Sequence, residues 1–275
     1  MLGSIDGAAH VLQRRARDVI LGAAVFMLPM LGLGVWFSIL AYDDFGRLDG
    51  LFSDRGYIGA EAGGLLITLM VQSFTAHLVG AYQAALLVRL RLGGQARWRD
   101  AVLATLKRLP LLVLTWALTH WWAWLLALAI LNSELPALVG LSMLLVPLAT
   151  TASAMVLFTV PVMMTEHLGL KAIRRGWRLA KPRFGAVWGF VLAVGVLGFL
   201  LTGFITWLPQ AAEATGLVTF GRFRWVLQGL ASQIAALIVV PFAALATAEF
   251  YLQMRIHAEG LDIVMAADRA FGARQ

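Results

Sequence analysis

Six long apolar stretches divide this chain, at about 19–42, 62–88, 109–131, 137–164, 184–207 and 225–253. A transmembrane helix needs about 20 mainly apolar residues, so each stretch is long enough to cross a bilayer. Soluble domains carry roughly a quarter charged residues, whereas this chain has 13% charged and 60% hydrophobic. Such a chain would precipitate in water, and its solvent must be lipid. The predicted class is all-α and polytopic, with six transmembrane helices. The basic residues ahead of the first apolar run look like those of a signal peptide. The length of that run and the helices after it predict an uncleaved signal-anchor instead.

The positive charges orient the chain. Of its 22 lysines and arginines, only Arg47, Arg55, Arg222 and Arg224 lie in the first, third and fifth gaps. The others fall before the first stretch, in the second and fourth gaps, and in the tail. Cytoplasmic loops carry the Lys/Arg excess, which predicts that both termini are cytoplasmic. The bias toward Arg, Ala, Gly, Leu and Trp, with lysine only at positions 107, 171 and 181, suggests a GC-rich bacterial genome and an inner-membrane location. With no cysteine, disulfides and thiolate chemistry are excluded.

Each basic segment also has helical periodicity. In 169–184, Leu170, Ile173, Trp177, Ala180 and Phe184 recur at three- and four-residue steps, opposite Lys171, Arg174, Arg175, Arg178 and Lys181. Trp98, Ala101, Val102, Thr105, Leu106 and Leu109 form a similar stripe beside Arg97, Arg99, Lys107 and Arg108. Residues 8–19 give a weaker version. Helices of this kind lie in the membrane interface, apolar face down. The chain is therefore expected to be one domain over 1–275 with three units, at about 1–93, 94–167 and 168–251, and a tail over 252–275. Each unit is a basic amphipathic helix followed by a membrane hairpin.

The segment Gly-Leu-Lys-Ala-Ile-Arg-Arg-Gly-Trp-Arg-Leu-Ala-Lys-Pro-Arg-Phe at 169–184 resembles a G-x-x-A-x-x-R-S-W-x-L-x-x-x-x-F stretch. That stretch belongs to bacterial membrane proteins related to the membrane domain of some glycerophosphodiester phosphodiesterases. Residues 7–20 and 255–262 are similar to the same group. Gly176 stands where that pattern has serine. The resemblance implies a six-helix membrane module. It does not carry over the phosphodiesterase activity, which resides in a separate soluble barrel for which this chain has neither the length nor the ligands.

Polar residues at membrane depth are the first places to look for chemistry, because they are costly there unless paired or facing a cavity. His77 and His120 lie near the middles of the second and third stretches. Gln72, Ser73, Ala76, His77, Gly80, Gln83 and Ala84 share one face, and Gln233 lies in the sixth stretch. Interhelical packing accounts for this pattern; a path lined by His77, His120 and Gln233 is the sharper alternative. Glu249 reads as a solvated or snorkelling carboxylate. Glu166 and His167 are adjacent, which points them about 100° apart on a helix, so capping or solvation suits them better than acid–base work. His-Glu-x-x-His is absent, and no catalytic, cofactor or metal constellation emerges. Pro29, Pro147, Pro161 and Pro241 are expected to kink their helices. Gly185 and Gly189 give a small-xxx-small spacing.

The basic clusters admit two readings. One is topology alone. The other is binding of anionic lipid headgroups or a membrane-protein partner through Arg97, Arg99, Lys107, Arg108, Lys171, Arg174, Arg175, Trp177, Arg178, Lys181 and Arg183. Nucleic-acid binding is disfavoured, because no recognition motif accompanies the charge. The expected function is that of a non-enzymatic accessory or scaffold subunit of an envelope complex. The alternative is a small transporter or lipid-handling protein with an intramembrane cavity.

Overall fold

The computed structural model describes residues 2–45, 55–91, 97–120, 147–216, 218–220 and 224–260, which are helical almost throughout and contain no strand. In chain order the helices are α1 (Leu2–Phe45), α2 (Arg55–Arg91), α3 (Trp98–Lys107), α4 (Leu109–Thr119), α5 (147–156), α6 (Thr159–Glu166), α7 (Lys171–Ala180), α8 (Phe184–Ala214) and α9 (Arg224–Glu259). A 3₁₀ turn, Lys181–Arg183, joins α7 to α8. Three stretches are long and apolar enough to cross a membrane: Pro147–Glu166, Lys171–Ala214 and Leu230–Glu259. The bent pair α3–α4 makes a fourth if it counts as one span. This is a membrane protein. The loop expected at 132–136 and Trp121, Trp122 and Trp124 lie outside the described residues.

Three arginines mark the bends where basic helices meet apolar ones. Arg15 interrupts α1 with φ −131° and ψ 30°. Arg108, between α3 and α4, has φ −105° and ψ 9°, and Arg183, ahead of α8, has φ −127° and ψ 37°. All three leave the helical region in a similar direction, and at Arg108 the helix axis turns by 68°. Proline explains two of the breaks. Pro110 and Pro182 have no N–H to give to the carbonyl four residues back, yet fit the first turn of a new segment.

The same register governs how the basic helices dock. Ala8, Ala101 and Gly176, each seven residues ahead of its bend, are all buried, as are Thr105 and Ala180, three ahead. A methyl-sized group at Gly176 would meet the Thr159 nitrogen at 3.0 Å and the Phe158 carbonyl carbon at 3.1 Å. Glycine thus lets α7 press onto the backbone where α5 gives way to α6. The face of α7 buried against protein is Ala172, Gly176, Leu179 and Ala180, while Ile173 and Trp177 of the apolar stripe flank it half-buried. Lipid tails are as apolar as isoleucine, so burial against protein selects residues that allow close approach.

Helices α2 and α9 form the centre. Helix α2 packs on α1, α3, α4, α6 and α9, and α9 packs on α1, α2 and α8. At the α1–α2 seam, the Tyr82 ring fills the space that the missing side chain of Gly22 leaves. Its hydroxyl donates to the Asp18 carbonyl, and Gln83 Nε2 donates to the Val19 carbonyl at 3.1 Å. Phe190 stacks on Phe250 with ring centres 4.4 Å apart, holding α8 to α9. The outer face of α8 bears exposed Phe199, Leu200, Phe204 and Trp207, as a lipid-facing helix should. Gly185 is exposed with nothing near its Cα hydrogens.

Of the four expected proline kinks, Pro161 sits just past the break at 157–158 that separates α5 from α6. Pro29 and Pro241 lie within unbroken helix. Pro147 is helical, and the residues before it lie outside the described ones.

Candidate functional site

The basic helices and the ends of the long helices meet at one end of the bundle. Helix α6 stops because His167 turns left-handed (φ 58°), and Gly169, also at φ 58°, reverses the chain into α7. That tight turn places Arg175 against the last residue of α6. Arg175 Nε donates to Glu166 Oε2 at 3.0 Å, and its other arm donates to Glu259 of α9. Arg255 Nε donates to Glu259 Oε2 at 2.9 Å and lies 3.7 Å from Glu166 Oε1. Tyr251 donates to Glu166 Oε1 at 2.8 Å. Two arginines and two glutamates thus form a neutral quartet tying α6, α7 and α9.

Further contacts close the ring. Arg91 of α2 donates to Glu249 of α9, and Gly7 of α1 lies against the same carboxylate. The expectation that Glu249 is solvated is therefore corrected. Its side chain is 5% exposed, because a guanidinium from the neighbouring helix takes the place of water. Ser4 donates to Gln253 Oε1 at 2.6 Å. Arg108 donates to the Met163 carbonyl and to His167 Nδ1, joining the α3–α4 bend to the end of α6.

The remaining basic residues point outward. Arg97, Arg99, Lys107, Lys171, Arg174, Arg178, Lys181 and Arg183 are exposed, and Arg99 lies over the Trp98 ring at 5.4 Å. Trp177 is half-buried, edge-on to Phe184 at 5.7 Å. Adjacent arginines therefore do different things: Arg174 faces out while Arg175 locks the bundle. Sequence reasoning singled out neither Arg255 nor Glu259. Their spacing of four residues with Tyr251 on one face of α9 was the available signal.

The structure brings the two membrane-depth histidines together, with ring centres 5.7 Å apart. His77 Nε2 is 3.2 Å from Thr115 Oγ1. That hydroxyl also lies within hydrogen-bonding distance of the Leu111 carbonyl, at 2.9 Å. His120 Nδ1 lies 3.1 Å from the Trp116 carbonyl, and Trp116 Nε1 donates to Ser73 Oγ at 3.0 Å. These bonds knit α2 to α4. Gln83 serves the α1 seam instead. Gln72 is exposed and Gln233 half-buried, and neither hydrogen-bonds to the histidines. Among the described residues no group of three His, Cys, Asp or Glu could hold a metal ion.

Set beside protein-family models, curated proteins and solved structures, the chain matches none.

Proposed function

We propose that this is a six-span membrane protein of three hairpins, each led by a basic helix, that acts without catalysis as an accessory or scaffold subunit. In this reading both termini face the cytoplasm of a bacterial cell. The exposed basic faces engage anionic lipid headgroups or an acidic membrane partner. One observation carries the reading: α7 is fixed to the bundle through its small-residue face while Lys171, Arg174, Arg178 and Lys181 all remain exposed. A row of exposed cations on a firmly docked helix exceeds what orientation alone requires, and each contributes about 1 kcal/mol beside an anionic surface. The matching bends at Arg15, Arg108 and Arg183 support the three-unit plan. The hydrogen bonds around His77 and His120 support packing over a substrate path.

The test is reconstitution of the full chain into nanodiscs of mixed phosphatidylglycerol and phosphatidylcholine, with the co-purifying lipid quantified after extraction into mild detergent. Reversing Arg174 and Arg178 to glutamate should deplete phosphatidylglycerol, and raised salt should do the same. Unchanged lipid composition in the double variant would sink the reading.

A further inference from the structure

A second feature of the basic end is concave. Arg89 of α2, Lys107 of α3 and Arg108 at the bend converge with His167 and Asp100 around an open groove of about 530 Å³. That is within the roughly 300–1,000 Å³ of small-molecule sites. Three fixed positive charges face one carboxylate, and that carboxylate is loosely held. Arg89 NH1 and Asp100 Oδ2 are 3.8 Å apart with both side chains 40% exposed or more.

The groups are suited to an anion. Lys107 has no partner among the described residues. Arg108 uses one N–H on Met163 and one on His167, out of five. Because arginine can only donate, His167 accepts at Nδ1. Two further observations say what the anion is attached to. The groove lies at the 68° bend between a basic helix and an apolar one, which the interfacial reading of α3 puts at the level where headgroups meet acyl chains. Its wall includes Leu103, and Leu103, Leu106, Val113 and Leu114 are exposed along α3 and α4.

We infer that this groove is a binding site for one anionic phospholipid, its phosphate among Arg89, Lys107 and Arg108 and its acyl chains along the apolar outer faces of α3 and α4. The site rests on the basic-surface reading and sharpens it, from a diffuse lipid preference to a single saturable position.

Titrating phosphatidylglycerol into the detergent-purified full chain, with bound lipid counted by native mass spectrometry, tests it. Lys107→Ala should weaken the tightest site about fivefold, the worth of one charge at a membrane surface. Asp100→Asn should tighten it, a change that mere loss of structure would not give. Asp6→Asn, the same charge change made at an exposed position on α1, should leave it unchanged. Equal effects of Asp100→Asn and Asp6→Asn would overturn the site, as would competition by chain-free glycerol 3-phosphate at the concentrations that suffice for the lipid. In those cases the basic-surface reading survives if the Arg174→Glu/Arg178→Glu variant still loses phosphatidylglycerol. It fails separately if that variant does not.

Discussion

Replacing Arg175 with leucine removes the one residue that holds both glutamates of the quartet from α7. Its two bonds, to Glu166 at 3.0 Å and to Glu259, join charged groups, and such bonds contribute about 1.5–3 kcal/mol each. The gross loss is therefore about 3–6 kcal/mol. The Arg175 side chain is 21% exposed and the glutamates similarly so, which lets water and salt recover part of it. Arg255 remains beside both carboxylates and recovers more. A net cost of about 2–3 kcal/mol is expected, because the mutant leaves two partly buried carboxylates with one cation. Arg174→Leu, one position earlier and on the exposed face, should stay within about 0.5 kcal/mol of wild type. Unfolding the detergent-solubilised protein with increasing SDS, followed by circular dichroism, measures both. Adding Glu259→Gln to Arg175→Leu should restore roughly half of the loss. Equal stabilities for the Arg174 and Arg175 variants would refute the argument, since the sequence treats the two residues alike and only their contacts differ.

Gly22→Ala should destabilise by about 1–3 kcal/mol in the same assay, since the new methyl group overlaps the ring of fully buried Tyr82; an unchanged unfolding midpoint would mean that α1 and α2 do not meet there. His77→Ala should lower detergent stability by about 1–3 kcal/mol through the lost bond to Thr115 and the space left behind; full stability combined with altered lipid retention would reverse the packing assignment.

The all-helical class and three apolar stretches able to cross a membrane were legible because they follow from a bulk quantity, apolar length. The docking faces were not. In 169–184 the membrane-facing stripe was drawn through large residues such as Ile173 and Trp177, and nothing in it marked Ala172 and Gly176 as the face buried against protein. Within a bilayer the competition is for close approach rather than for escape from water, so a size pattern carried the information that a hydropathy pattern hid. Aligning the bends at Arg15, Arg108 and Arg183 would have exposed the small residues seven positions earlier. Arg174 and Arg175 could not be told apart, since the partners of Arg175 lie on α6 and far along the chain on α9. Glu249 was misread for the same reason: the guanidinium that keeps it from water arrives from α2.

The central place of α9 has a consequence for how the protein is made. It supplies Glu249 to Arg91, Gln253 to Ser4 and Glu259 to Arg175, yet it follows every one of those partners in the chain. At roughly 5–20 residues per second, α2 leaves the ribosome about 10–30 s before the end of α9 does. Throughout that interval α1 and α2 stand with one flank open and Arg91 awaiting its counter-ion. Newly made chains of this protein therefore pass through a half-built stage, and the closing of the last helix is what ends it.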